Sequence, residues 1–390
     1  MSTDTSPTTP TTTTVTSTTP TTTTATTTTA PSTSAEAAPE IDMDALMAFV
    51  FRAVDEVGAT LNAALVVLGD KLGYYRDLAA HGASTPGELA QRTGTAEPYA
   101  REWLNAQAAG NFVTYDPGAG RYTLPAEQAV ALTVEDSPAF LPGLFQIALG
   151  TVHDMDHILA AARNGAGFGW HEHVTDVHLG CERFFRPSYH AHLVQEWLPA
   201  LDGVVDKLRA GAHVADIGCG HGSSTVLMAH AFPQSRFIGY DYHPESIAIA
   251  RQRAQDAGVA DRVRFAVATA QSLPSGDFDL ITMFDCLHDM GDPVGAAEQV
   301  HQALQPDGTW MVVEPMAGEH VEDNLNPVGR AYYGFSTLLC TPASLSQDVG
   351  LALGTQAGPA RIRDVATAAG FTRFGTVAQT PFNRVMEIRR

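Results

Sequence analysis

Asp216, Gly218, Gly220 and Gly222 stand at alternate positions in the run Val214-Ala215-Asp216-Ile217-Gly218-Cys219-Gly220-His221-Gly222. An acidic residue that closes an apolar strand, followed by a glycine-rich turn, suits a nucleoside ligand, because glycines let the backbone approach a bound molecule closely. The residues before Asp216 read as a buried strand, and Ser223-Ser224 with Thr225-Val226-Leu227-Met228 as the start of a helix. The dinucleotide fingerprint G-x-G-x-x-G would put its third glycine where Ser223 stands. Here the third glycine comes one residue early, which disfavours a nicotinamide cofactor. A Tyr-x-x-x-Lys pair is also missing, since Lys71 and Lys207 are the only lysines.

A second set of residues could move a proton. His288 follows the apolar run Phe278 to Phe284, and imidazole, with an unperturbed pKa of about 6.5, is a suitable base near neutral pH. Glu314 ends another apolar run. Both residues could equally cap helices or bond each other structurally. His153 and His157 share a face if helical and could be two metal ligands, but Asp154 stands where an H-E-x-x-H pattern needs glutamate. No metal is expected.

These residues need a scaffold. Arg236 to Asp241, Val263 to Val267, Phe278 to Asp285 and Gly308 to Pro315 read as further short strands, with helical stretches near 244–257 and 293–304 between them. That repeating βαβ series is a mostly parallel sheet, whose ligands bind at the carboxyl edge of the strands. A helix over 361–370 and a strand pair, Phe371 to Val377 with Asn383 to Ile388, close the chain with an antiparallel hairpin.

Taken together, the glycine pattern after Asp216, the strand ending at Asp241, the turn Ala268 to Pro274 and the run His288-Asp289-x-x-Asp292 resemble the S-adenosylmethionine-dependent methyltransferases with a Rossmann-like fold, small-molecule O-methyltransferases in particular. The resemblance spans about Ile41 to the C-terminus and is strongest from Val214 to Pro315. It implies an α/β fold, a seven-stranded Rossmann-like methyltransferase sheet with an N-terminal mainly helical winged-helix-like domain. It also implies S-adenosyl-L-methionine as methyl donor and S-adenosyl-L-homocysteine as product. Asp216, Gly218, Cys219, Gly220 and Gly222 would cradle the cofactor, with Asp241 and Tyr242 at the ribose and Ala270 and Gln271 beside the adenine. Asp285 and Cys286 would line the same pocket. Asp241 could alternatively cap the helix beginning near Pro244. By the same resemblance His288 deprotonates an acceptor hydroxyl and Glu314 holds His288. N- or C-methylation stays open, as does a cofactor-sensing regulator that places its winged helix on DNA.

The rest of the chain bounds the partners. Met1 to about Pro39 is almost entirely Thr, Ser, Pro and Ala; it cannot bury a core and is expected to be disordered. It lacks the basic start and apolar stretch of a secretory signal, and no later run is apolar enough to span a membrane. Residues 40–135 read as the winged-helix-like domain. Thr85 with Glu88 marks a capped helix, Glu97 to Ala108 a second one, and Asn111 to Asp116 with Gly120 to Leu124 a two-stranded wing. The second helix carries Arg101 among Glu97 and Glu102, and the formal net charge is −20, which repels nucleic-acid phosphate and anionic membrane. The charge therefore disfavours nucleic-acid and membrane binding, and the resemblance to O-methyltransferases implies instead that this domain mediates homodimerisation, with the apolar helix from Met43 to about Leu68 as the dimer face.

Residues 136–205 read as a helical linker and substrate lid, and 206–390 as the cofactor-binding domain. The turn Gly165 to His171 ends in Trp170 and His171 and could be a lid that excludes water or a plain interdomain loop. Tyr332, Tyr333 and Phe335 fall in a segment inserted after the fifth strand. They suggest a flat or apolar small-molecule acceptor, though helix-core packing explains them almost as well. Cysteines 181, 219, 286 and 340 are too scattered for a disulfide framework or a zinc knuckle, so a reducing, cytoplasmic setting is expected.

Overall fold

A computed structural model of the protein describes residues 40–274 and 277–390, and the Thr/Pro-rich segment 1–39, expected to be disordered, lies outside the described residues. The chain falls into two units, one ending at Phe51 and one from Arg52 to Arg390. The first helix, Met43–Leu72, is 30 residues long and ends where Gly73 turns to φ 76°.

Helices Tyr74–His81, Pro86–Thr93 and Glu97–Ala109 lead into a hairpin of β1 (Thr114–Asp116) and β2 (Arg121–Thr123). The expected capping box is present: Thr85 Oγ1 accepts from the Glu88 amide at 3.3 Å, and Glu88 Oε2 accepts from the Thr85 amide at 2.9 Å. Arg121 then clamps the wing to the same Glu88 through two contacts of 2.8 Å. Beneath them Trp103 meets Tyr74 and Tyr75 edge-on, each at 4.9 Å. The wing is shorter than its sequence suggests. Asn111 takes φ 61°, and the amides of Phe112 and Val113 both bond the Gln107 carbonyl, so pairing starts only at Thr114.

Helices Pro142–His153, Met155–Asn164 and Thr175–Ser188, the last continuing as the π-helix Tyr189–Trp197, connect this hairpin to the sheet. The strands there are β3 (His213–Ile217), β4 (Arg236–Asp241), β5 (Val263–Val267), β6 (Phe278–Phe284), β7 (Leu304–Pro315), β8 (Arg373–Gln379) and β9 (Asn383–Arg389). Their order is β5-β4-β3-β6-β7-β9-β8, parallel throughout except for β9, which runs antiparallel to both neighbours. This is the Rossmann-like methyltransferase sheet with its closing hairpin. β7 begins at Leu304, not Gly308: Leu304 pairs with Phe278 while Thr309 pairs with Leu280, so the intervening turn bulges out of the ladder. β8 starts two residues late because the Phe371 amide is still bonded to the Ala366 carbonyl of the preceding helix.

Successive strand residues feed opposite faces. Val214 and Leu280 join a core with Leu193, Trp197 and Met228, whereas Ala215 and Ile281 join one with Val300 and Ile362. β3 has β4 on one side and β6 on the other. The crevice at its carboxyl end is therefore the topological switch point, where open α/β sheets bind ligands. Among the described residues no helix is long and apolar enough to cross a membrane.

Candidate active site

The loop after β3 is built to stay open. Gly218 sits at φ 68°, and a Cβ there would lie 2.7 Å from Cys286 Sγ, so glycine is required by backbone shape and by close approach alike. At Gly222, φ 78°, a Cβ would strike the Phe265 ring at 2.6 Å. The loop is tied to β4 from within: the amides of Gly218 and Cys219 bond the Tyr240 carbonyl at 2.8 and 3.1 Å. Asp241 completes the tie, with Oδ2 accepting from the Gly220 amide and Oδ1 from the His243 amide, both at 2.9 Å. Burial raises the Asp241 pKa against these bonds. The helix start is capped by His243, not Asp241, and no side-chain cap bond is made.

Gly218, Cys219, Gly220, Asp241, Tyr242, Ala270 and Gln271 border one cavity of about 380 Å³ with Asp285, Cys286 and His288. Asp216 and Gly222 do not line it. Asp216 is fully buried behind the loop, accepting from Ser224 and Thr225 at Oδ2 (2.7 and 2.6 Å) and from Thr282 at Oδ1 (2.9 Å). It anchors the helix Ser223–Ala231 to the sheet and has no face toward a ligand. Gly222 packs on Phe265 and Ala250, away from the opening.

β6 and β7 are parallel neighbours, with Phe284 opposite Val313, so the residues following each are thrown together. Glu314 Oε1 accepts from the Leu287 amide at 3.0 Å, and Oε2 bonds Nδ1 of His288. The other ring nitrogen, Nε2, lies 3.2 Å from Asp289 Oδ1. Burial pushes the imidazole pKa down, but the charges of Asp289 and Glu314 outweigh it and the result is well above the ordinary histidine value. Asp285, at φ 49°, accepts from Asn383 Nδ2 at 2.8 Å through Oδ1 and has no partner at Oδ2. Burial, then the Glu314 charge, raises its pKa well above the usual carboxylate range. The last member of the run, Asp292, is an N-cap: Oδ1 accepts from the Gly295 amide at 2.8 Å.

The opposite wall comes from the linker and the insertion. Trp170 and His171 both line the cavity. Trp170 stacks on His178 at 5.1 Å, and the Phe168 amide donates to the Pro342 carbonyl at 2.9 Å, contacts that hold this turn against the cavity as part of its wall. Tyr332 and Phe335 line the cavity and Tyr333 does not. Tyr332 spends its hydroxyl on the Phe382 carbonyl at 2.9 Å, leaving its ring to the cavity. His153 and His157 do not pair as ligands: His153 sits 3.3 Å from Asp154 and His157 stacks on Phe168 at 4.9 Å.

Sequence reasoning missed Asp289, Phe184, Phe185 and Leu339 as cavity residues. The apolar positions of 175–188 carry only a helical period, which does not distinguish a pocket wall from a core. It also missed that Cys181 and Cys340 line the same cavity as Cys219 and Cys286.

Residues 208–347 match the family described as Methyltransferase domain, and residues 60–134 match the Rv2258c-like winged HTH domain. The chain therefore carries a methyltransferase domain preceded by a winged-helix domain. The 27-O-demethylrifamycin SV methyltransferase of Amycolatopsis mediterranei is 37% identical over 131 residues, 32% of this chain and 48% of that protein. Matches to the first curated relatives span 23% to 59% of those proteins' own lengths. Human N-acetylserotonin methyltransferase, solved in complex with S-adenosylmethionine, has a TM-score of 0.64 at 18% identity, covering 87% of this chain and 97% of that one. An O-methyltransferase from neocarzinostatin biosynthesis, solved with S-adenosylhomocysteine and 1,4-dihydroxy-2-naphthoic acid, has a TM-score of 0.56 at 20% identity, covering 87% of this chain and 98% of that one. At these identities the two structures establish the fold.

Proposed function

We propose that this chain, a methyltransferase domain behind a winged-helix domain, is an S-adenosylmethionine-dependent methyltransferase that methylates a hydroxyl of a small aromatic or apolar acceptor. The observation that carries the reading is that the glycine loop and the Glu314-held imidazole of His288 open on one cavity. The cofactor fits the residues present. A Cβ on Gly220 would meet no protein atom within 4 Å, so that side of the loop is open for a nucleoside. The carboxyls of Asp241, Asp285 and Asp289 stand on the walls, their pKa raised by burial, and a cationic sulfonium beside them would favour their charged form.

When bound, S-adenosylmethionine supplies a methyl group already activated on sulfur. The chain's residues then have three tasks. Gly218, Gly220 and Asp241 hold the nucleoside end, with Tyr242, Ala270 and Gln271 beside it. Nε2 of His288 takes the acceptor proton, and Glu314 fixes the ring and stabilises the imidazolium. Trp170, Phe184, Phe185, Tyr332 and Phe335 orient a flat acceptor and exclude water, so that alignment supplies most of the rate. The domain assignment that goes with this is 40–135 for the winged helix, 136–205 for the linker that walls the acceptor, and 206–390 for the cofactor domain. We assign a homodimer formed through the exposed apolar face of the first helix.

Calorimetric titration with S-adenosylhomocysteine and with NAD tests the cofactor, repeated on Asp241→Ala. Micromolar binding of the first, weakened by about 10- to 100-fold in the variant, is expected, since a hydrogen bond to a charged group is worth about 1.5–3 kcal/mol. Binding of NAD alone would overturn the reading. Methyl transfer to phenols but not to matched anilines, abolished in His288→Ala, tests the hydroxyl and the base.

A further inference from the structure

His288, Asp289 and Cys340 come from two separate parts of the chain, yet one ligand atom of each lies within 4.8 Å of the others. His288 and Cys340 are both 3% exposed, and all three residues line the cavity. The set joins an imidazole, a carboxylate and a thiol, a combination that suits a soft divalent cation better than magnesium or calcium. Bonds of 2.0–2.3 Å in a tetrahedral site put ligand atoms about 3.3–3.8 Å apart, which side-chain shifts of about 1 Å reach from this arrangement.

Two further features point the same way. Glu314 holds Nδ1 of His288, which leaves Nε2 to face Asp289 at 3.2 Å. A carboxylate on the far nitrogen of a histidine is the partner that orients a metal-binding imidazole and strengthens it as a ligand. Asp289 Oδ1, for its part, is buried and makes no hydrogen bond; its neighbour at 3.2 Å is Nε2 of His288, and a cation replacing the imidazole proton would bridge the two. The cavity side leaves a fourth position for water or a ligand oxygen.

We propose that Nε2 of His288, the carboxylate of Asp289 and the thiolate of Cys340 form a three-ligand site for a divalent cation of the zinc class, and that the bound cation blocks proton transfer at His288. Binding releases the Cys340 thiol proton, and any proton on Nε2, to solvent. The cation then occupies the lone pair that would accept the acceptor's proton, so occupancy and turnover exclude each other. Only this consequence rests on the proposed function; cation binding stands apart from it.

The test titrates the full chain with cobalt(II), without cofactor, and follows the near-ultraviolet sulfur-to-cobalt charge-transfer band. One equivalent is expected to give the band in the wild type and in Cys181→Ser. Cys340→Ser should lose it and weaken binding at least about tenfold, the loss that even an outer partner causes. If Cys340→Ser does not fold, His288→Gln must lose the stoichiometric binding instead. No band in the wild type, a band that survives Cys340→Ser or His288→Gln, or one that disappears with Cys181→Ser would overturn the site. Zinc should inhibit methyl transfer and a chelator restore it; inhibition that persists after chelation counts against the blocking role while leaving the spectrum to decide on binding.

Discussion

Nε2 of His288 lies 3.2 Å from Oδ1 of Asp289, while Nδ1 of the same ring bonds Oε2 of Glu314. A ring with a carboxylate at each nitrogen is stabilised as the cation. Here that stabilisation exceeds the cost of burial, and the pKa stands well above the ordinary value for histidine. In the resting protein the imidazole therefore holds its proton further up the pH scale than a free histidine does.

The consequence for turnover is a rate that rises with pH. Only the neutral ring accepts a proton, so kcat/KM should climb through a pKa above about 6.5. Glu314→Gln removes one of the two charges; it should move that limb to lower pH and reduce kcat by about a hundredfold. A profile flat between about pH 6 and pH 9, or a limb that Glu314→Gln leaves in place, would count against His288 as the base. The sign for stability is the reverse. A raised pKa contributes its full stabilisation below the unfolded value and loses it as pH rises through the folded one.

Gly218 should resist any side chain. Gly218→Ala places a Cβ 2.7 Å from Cys286 Sγ in a left-handed backbone conformation, and strain of this kind costs about 1–3 kcal/mol. Urea denaturation should report that loss. Adding Cys286→Ala removes the Sγ atom but leaves the Cβ of residue 286, 2.8 Å from the new Cβ, and the backbone strain, so the double variant should recover only a small part of the stability. Simple additivity of the two single losses would mean that the contact is not what excludes alanine.

Val54, Val57 and Leu61 are 61%, 61% and 63% exposed and share one face of the first helix. A second copy of the chain is the proposed cover. Val54→Asp with Leu61→Asp should convert a dimer to a monomer in sedimentation while leaving the melting temperature of the sheet domain unchanged. A monomeric wild type at micromolar concentration would remove the proposal.

The elements that position the site were legible because their signals are local. Alternating glycines, short apolar runs ending in a carboxylate, and Thr85 with Glu88 as a capping box each draw on neighbours within a few residues. The wing came out shorter than expected, and β8 starts two residues later, for the same reason in reverse. Asn111 at positive φ and the late helical bond of the Phe371 amide are carried by no periodicity.

What the sequence by itself determined is the order of the strands along the chain, the glycine loop at the end of β3, and the places of His288 and Glu314 at the ends of two of those strands. Only the tertiary structure decided which residues meet. Asp216 reads as a ligand contact until Thr282 of the adjacent strand and Ser224 and Thr225 of the next helix enclose it. Tyr332 faces the cavity and Tyr333 does not, because one residue along a helix turns a side chain by about 100° and nothing in the composition sets the starting phase. Cys340 reaches His288 and Asp289 only when the inserted segment folds back over the carboxyl edge of the sheet. Local pattern specifies an element from its own residues, whereas a contact between distant segments depends on how all the intervening elements pack.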